Sequence, residues 1–510
     1  MGKNIFNTVK LTRPKKSVFD LSHDVKQTMR FGELTPILAM ECVPGDKIKI
    51  QAETLIRMAP LISPVMHRID ATIHYFFVPN RILWPNWEAF ITNASSGIAH
   101  PYIDLAQIPN VTAQEKQIWR FLDYMGVPPI TGTYPPACNV NCLAFAAYQR
   151  IYQEYYRDQN LINLGPFQLT DGNNTQRAFD GMCEMKLRAW EHDYFTSALP
   201  WAQKGQDVLI PSAGNVYDPT KYATARQVPT GIVAAAGNLK VEDTTGHLTN
   251  ESGTQYVNID QENATGGVDS GTINDLRTAQ RLQKWLEKNA RGGSRYVENI
   301  LEHFGIKSQD ARLNRPEYIC GLKTPVVISE VLNTAGVTDS PAQGNMAGHG
   351  VAVNSGSAGS YFCQEHGYII GIMSIMPKTA YQQGIQKQYL KSDALSYYWP
   401  SFAHLGEQEI ENQELYAYGP NPQKTFGYVP RYSEYKFFPS RVAGDFRTTL
   451  AFWHMGRIFA NEPALNQAFV ECKPDDRIFA VIDPEVDNIY VDVYNKITAI
   501  RPMPKYGTPQ

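Results

Sequence analysis

The chain has 510 residues, 43% of them apolar and 19% charged, and its 47 Lys and Arg against 50 Asp and Glu leave a net charge of −3. That balance excludes a protein that coats nucleic acid by charge alone, because each phosphate neutralised needs a Lys or Arg, although a local basic patch stays open. The length admits several ordinary domains or one large β domain with long insertions, and 37 Gly with 33 Pro require many turns.

Residues 1–16 hold Lys3, Lys10, Arg13, Lys15 and Lys16 and no acidic side chain, which suits a basic arm or a solvated terminus. Phe19, Leu21 and Val25 alternate loosely with polar residues, so an early strand is expected within 17–26. After the turn signal Pro44-Gly45-Asp46, Ile48 and Ile50 alternate with Lys47, Lys49 and Gln51. Ile69, Ala71, Ile73, Tyr75 and Phe77 alternate with Asp70, Thr72 and His74. A period of two puts one row inside and one outside, so strands are expected within 47–79, closed by Pro79.

A short amphipathic helix is expected from Val111 to Tyr124, with Thr112 and Glu115 as a capping box, and a second from about Val140 to Asp158, where Leu143, Ala147, Ile151 and Tyr155 recur every four residues. Residues 205–270 then change character. They carry eight acidic and three basic side chains and neither Phe nor Trp, so they can bury little surface, and the stretch reads as a Gly-rich acidic insertion, exposed or disordered. Helical stripes return over 272–305, Ile273 to Leu286 and then Tyr296, Ile300 and Phe304, as a helical hairpin insertion. Strands are expected at 325–332, 368–376, 446–459 and 477–500, with a flexible loop from Gly344 to Ser360. The run 368–376 is apolar on both sides, as a central strand would be. Together these segments predict a mainly β fold, an eight-stranded antiparallel jelly roll with long loop and helical insertions.

Motifs for chemistry are missing. No phosphate-cradling Gly-Lys loop, no G-x-G-x-x-G after a strand and no G-x-S-x-G elbow occurs, and neither H-E-x-x-H nor a close Cys/His cluster exists. No enzyme, cofactor or metal site is expected. Cys42, Cys138, Cys142, Cys183, Cys320, Cys363 and Cys472 form no C-x-x-C pair and read as buried reduced thiols. No signal-peptide core opens the chain, and no run approaches the roughly 18 apolar residues of a membrane helix. The protein is expected to stay in a cytoplasm, without membrane insertion.

Four blocks carry a resemblance: FGELTPILAMECVPGDKIKIQAETLIRMAPLISPVMHRIDATIHYFFVPNRILW, LRTAQRLQKWLEKNARGGSRYVENILEHFGIKSQDARLNRPEYICG, QEHGYIIGIMSIMPKTAYQQGI and GYVPRYSEYKFFPSRVAGDFRTTLAFWHMGRIF. They span the chain apart from the 205–270 insertion, and the whole resembles the major capsid proteins of microviruses (Microviridae), in the gokushovirus-like branch. The resemblance implies a structural protein of the virion, assembled in the host cytoplasm, which associates with itself through pentamers into a T=1 icosahedral shell around a circular single-stranded DNA genome. It implies further partners: a small basic DNA-binding protein, spike or minor coat and scaffold proteins, and a host surface receptor met by exposed projections, the 205–270 insertion among them near the threefold axes. On that reading Lys3, Lys10, Arg13, Lys15 and Lys16 are candidate DNA contacts. The long loops at 80–110, 125–140 and 380–436 are candidate subunit contacts. In the aromatic, proline-bearing segment 428–438, Tyr428, Arg431, Tyr432, Tyr435, Phe437 and Phe438 are candidate interface residues, because rigid Tyr and Arg side chains are enriched in interface cores. The competing reading is a carbohydrate-binding or carbohydrate-active β-sandwich with Trp84 and Trp87 as a sugar platform.

Overall fold

The computed structural model describes residues 15–129, 138–165, 168–205, 273–292, 295–306, 309–332, 346–356, 358–483 and 486–506, together with four short strands between 226 and 258. Ten strands form one antiparallel sheet: β1 (Ser17–Asp20), β2 (His23–Met29), β3 (Thr35–Cys42), β4 (Lys47–Met58), β5 (Ile69–Pro79), β6 (Glu317–Leu332), β7 (Met346–Ser355), β8 (Gly359–Phe362), β9 (Gly367–Pro377) and β10 (Ile489–Arg501). Eight follow one another in the order β1-β10-β4-β7-β6-β5-β9-β3, while β8 lies beside β4 and β2 beside β10.

The path curls because β6 changes partner along its length. Its residues 317–326 pair with β5, and its residues 327–332 pair with β7. A register shift between Tyr318 and Cys320 marks a bulge, and a bulge adds local twist. The two halves of the sheet therefore close on each other with one core between them. Ile48, Ile50, Ile56 and Met58 of β4 and Val491, Val493, Ile497 and Ala499 of β10 meet Ile69, Ile73, Tyr75 and Phe77 of β5 and Ile369, Met373 and Ile375 of β9. Across this core the Tyr75 hydroxyl donates to Asn495 Oδ1 at 2.7 Å, and Asn495 Nδ2 donates to the Ile37 carbonyl at 3.0 Å, so the buried Tyr75 and Asn495 side chains satisfy each other across the sandwich. The architecture is that of a jelly-roll-like β-sandwich with insertions.

A second layer explains why β9 is apolar on both sides. Helices α1 (Ala113–Tyr124) and α2 (Leu143–Ile151) cover the other face of β5 and β9, packing Ile118, Phe121, Leu122, Phe145 and Tyr148 on Phe76, Val78, Ile370 and Ile372. The capping box of α1 is present: Thr112 accepts from the Glu115 amide, and Glu115 accepts from the Thr112 amide at 2.8 Å. An ion network locks α1 to the sandwich. Arg120 Nη2 donates to Glu33 Oε2 at 2.8 Å and to Asp487 Oδ2 at 3.0 Å, and Asp487 also accepts from Arg30 Nε at 2.6 Å. Burial alone would raise the Asp487 carboxyl, but Thr28 and the two guanidiniums hold it below its ordinary range.

Several segments differ from their expected form. Residues 446–459 are not a strand. They form the 3-10 turns Gly444–Arg447 and Ala451–Trp453, and the Arg477 guanidinium takes up the carbonyls of Ala451, His454 and Gly456 that a ladder would otherwise have used. Residues 477–482 are likewise a loop that seats Ile478 and Phe479 in the main core; of the expected 477–500 pair only β10 is a strand. The expected flexible loop 344–360 contains β7 and the start of β8. Residues 17–26 are two strands, β1 and the first part of β2. The second helix is α2 followed by a wider π-turn, Tyr152–Tyr156.

The chain separates into two compact units, 1–202 with 290–510, and 203–289. In the second, Leu239–Val241 pairs with Leu248–Asn250 and Arg226–Gln227 with Val257–Asn258. The expected helices in 272–305 are α3 (Ile273–Gly292) and α4 (Tyr296–Phe304).

His74 of β5 faces the helical layer, its Nδ1 2.7 Å from the Tyr156 hydroxyl, at the wall of a cavity of about 670 Å³. Burial, aided by Arg188, pulls its pKa from 6.5 to about 4. Between those values the unfolded chain binds a proton that the folded chain refuses, so stability falls as pH drops through this window. The difference is worth about 3 kcal/mol at most. Burial pulls His67 and His454 down as well. We expect the urea midpoint to fall from pH 7.5 to pH 5, and His74→Gln to remove part of that fall.

Candidate subunit interface

Of the residues singled out in 428–438, Tyr428 sits on a two-stranded ribbon, Glu407–Glu411 with Thr425–Pro430, and the other five follow its end through the 3-10 turn Ser433–Tyr435. One side of this ribbon is anchored. Ile410, Phe426 and Val429 pack with Tyr194, Phe195, Leu415 and Phe469 in a separate core, and the backbone of Tyr428 exchanges two hydrogen bonds with Leu199, at 2.8 and 2.9 Å.

The structure divides the six residues between this anchor and the surface. Tyr428 and Arg431 are half-buried, and the Arg431 guanidinium stands 5.0 Å from the centroid of the Tyr432 ring. Tyr432 is buried at φ +63°, a left-handed conformation that is costly for a bulky residue. It is held by its amide, which donates to Gln408 Oε1 at 2.7 Å, and by edge-on packing against Tyr398 at 5.0 Å. Tyr435, Phe437 and Phe438 are 52%, 42% and 68% exposed. Beside them Tyr389, Leu395, Tyr397, Tyr398 and Trp399 are each at least half exposed. This aromatic platform is larger than the set read from 428–438. The run YLKSDALSYYWP carried the signal in its aromatic density, and it lies within the 380–436 loop named above.

Behind the platform lies a cavity of about 510 Å³, walled by Tyr389, Lys391, Tyr397, Tyr435, Phe437 and Phe438. Its two lysines are paired with carboxylates. Lys391 Nζ lies 3.0 Å from Glu434 Oε1 and 3.9 Å from the Tyr435 centroid, and Lys387 Nζ lies 2.9 Å from Glu414 Oε1. Burial holds the Glu414 carboxyl above its ordinary range, and Lys387 limits the rise. Gly384 approaches Glu414 so closely that a Cβ would stand 1.9 Å from the Glu414 carbonyl oxygen, so the floor requires glycine there. The arrangement offers no nucleophile aligned with a base. It offers rigid rings over satisfied charges, a composition suited to association.

The other named residues are placed as follows. Lys3, Lys10 and Arg13 lie outside the described residues. Lys15 is exposed, and Lys16, also exposed, donates from Nζ to the Gly45 carbonyl at 2.8 Å and stands 5.5 Å from the Phe362 centroid. Trp84 is fully enclosed, its Nε1 donating to Asp171 Oδ1 at 2.7 Å, and Trp87 is half-buried next to it. The pair therefore presents no open sugar platform. Among the described residues no three His, Cys, Asp or Glu side chains converge on a common point, and no helix is long and apolar enough to cross a membrane.

Comparison with known proteins gives a concordant result. Residues 7–510 match the family described as capsid protein (F protein). The chain is 34% identical over 545 residues to the capsid protein VP1 of Bdellovibrio phage phiMH2K, covering 100% of this chain and 98% of that one. It is 33% identical over 589 residues to the capsid protein VP1 of Chlamydia phage 1, covering 99% and 97%. Its identity to the capsid protein VP1 of Spiroplasma virus 4 is 29% over 550 residues, covering 99% and 97%.

Proposed function

From the premise that this chain belongs to the phage capsid protein (F protein) family, and is thus a structural component of a virion and no enzyme, we propose that it closes with copies of itself, by way of pentamers, into a T=1 icosahedral shell around a circular single-stranded DNA genome. The observation that carries this reading is the platform of exposed rings at 389–399 and 435–438, backed by a core and by matched charges. A surface of this kind is costly to leave in water, and covering it stabilises a contact by roughly 25 cal/mol per Å², less the entropy of association. A stable contact needs on the order of 1,000 Å² in total, more than the rings supply alone, so flanking loops join it. Contacts of this sort close under rotational symmetry. The insertion 205–270 is assigned to host attachment as an outward projection, with a small basic DNA-binding protein, scaffold proteins and spike or minor coat proteins as partners and the host cytoplasm as the place of assembly.

Expression of the chain followed by sedimentation and electron microscopy tests this. Closed isometric particles or a pentameric precursor are expected. A subunit that stays solitary at high concentration would overturn the reading.

A further inference from the structure

We propose that the outward face of the sheet where β1, β10, β4 and β8 lie side by side is a contact surface for single-stranded nucleic acid, with Lys16, Lys47, Lys49 and Lys496 neutralising phosphates and Phe362 stacking an unpaired base. The inference rests on the capsid reading and gives the genome a seat on a particular face of the subunit.

Strand alternation creates the surface. Ile48 and Ile50 of β4 and Ile497 and Ala499 of β10 are buried in the sandwich, so Lys47, Lys49, Lys496 and Thr498 point the other way and are exposed. The register then gathers them. Lys47 lies between Ile500 of β10 and Phe362 of β8, Lys49 lies between Thr498 and Ser360, and Lys496 opposes Gln51. Lys16, on the residue before β1, reaches the same row, with its ammonium beside the Phe362 ring. Neighbouring strands are ~4.8 Å apart and same-face residues on one strand ~7 Å apart, so the four ammonium groups fall within reach of a few consecutive phosphates.

Two features single out this partner. Lys47, Lys49 and Lys496 form no ion pair among the described residues, unlike Lys26 further along the face, which lies 3.4 Å from Asp492. Of the nearby acids, Asp20 lies on the same face opposite Thr498, kept ionised by its hydrogen bonds from Ser22 and within electrostatic reach of Lys496, while Glu53 and Asp24 flank Tyr494 beyond Gln51. The patch thus sets four ammonium groups against the carboxylate of Asp20, a positive excess on a chain whose net charge is −3. At its edge, opposite Lys47 and beside the Lys16 ammonium, Phe362 is 51% exposed. Cations around an open aromatic ring suit a strand with free base faces, because stacking on a side chain needs a base that is not already paired within a duplex.

Assembled particles or pentamers of the full chain, titrated with fluorescein-labelled oligo(dT) over a salt series, test the proposal. Lys47→Gln/Lys49→Gln/Lys496→Gln is expected to lower the slope of log K against log salt by about 2, with a correspondingly weaker affinity at low salt. Phe362→Ala is expected to weaken oligo(dT) binding about five-fold or more at unchanged slope, and to leave binding of duplex DNA unaltered. An unchanged slope in the triple variant overturns the proposal, and so does equal loss of duplex binding in the Phe362 variant. Absence of particles and pentamers from the unaltered chain would strike the capsid reading itself. Triple-variant particles with full DNA content would strike this surface alone.

Discussion

Phe437→Asp combined with Phe438→Asp is expected to abolish closed particles and to leave a folded subunit. Both rings lie outside the buried cores in the single chain, 42% and 68% exposed, so replacing them removes little of the core that stabilises the fold. At a contact between copies the same change is severe. Truncating an anchor ring of an interface commonly costs 2 kcal/mol or more, and each carboxylate driven out of water adds several kcal/mol. A closed shell repeats that loss at every equivalent contact, so a change that would only weaken a dimer eliminates the particle. Sedimentation and electron microscopy measure the outcome, the thermal melt of the subunit controls for folding, and Tyr506→Asp, at an exposed ring near the carboxy terminus, controls for added charge. Particles at the unaltered yield would remove the platform from the interface.

Arg120→Leu is expected to destabilise the folded subunit by about 3–5 kcal/mol, because it strips the shared partner from two buried carboxylates. The Glu33 and Asp487 side chains are only 10% and 8% exposed. Arg30 still reaches Asp487, so the larger part of the loss falls on Glu33. Adding Glu33→Gln and Asp487→Asn to Arg120→Leu should recover much of the stability by removing the stranded charges. The urea midpoint of the purified subunit measures both steps. A loss under about 1 kcal/mol for the single change would mean that water reaches the carboxylates.

The strands that could be read in advance are those in which apolar and polar residues alternate, whether one face is buried, as in β4, or both, as in β5. β4 and β5 were legible from Ile48, Ile50, Ile73 and Tyr75, because alternation is a local property of the chain. α1 was legible from Thr112 and Glu115, because a capping box is local too. What stayed hidden depends on distant partners. β3, with Pro36 inside it, reads as a broken pattern, and it is tolerated because this strand is a sheet edge with a register shift opposite Gly371 and Ile372. Residues 446–459 look like a strand in isolation, but Arg477, remote in sequence, claims their carbonyls. β7 is so rich in glycine that it resembles a loop, yet Gly350 packs against Met58 and a Cβ there would come within 2.4 Å of its sulfur. For the platform, Tyr435, Phe437 and Phe438 were legible as an aromatic segment. The division between buried Tyr432 and exposed Phe438 was not, since it turns on one left-handed residue and its contacts with Gln408 and Tyr398.

Because β5 ends opposite the start of β6, Phe77 against Glu317, everything from Asn80 to Pro316 leaves and rejoins the sheet at adjacent points. The cost of closing such a loop grows only slowly, by about 0.6 kcal/mol for each doubling of its length. Lengthening that excursion therefore costs the sheet little closure entropy, and away from α1 and α2, which pack on β5 and β9, it is a natural port at which a peptide or a small domain can be spliced without redesigning the strands.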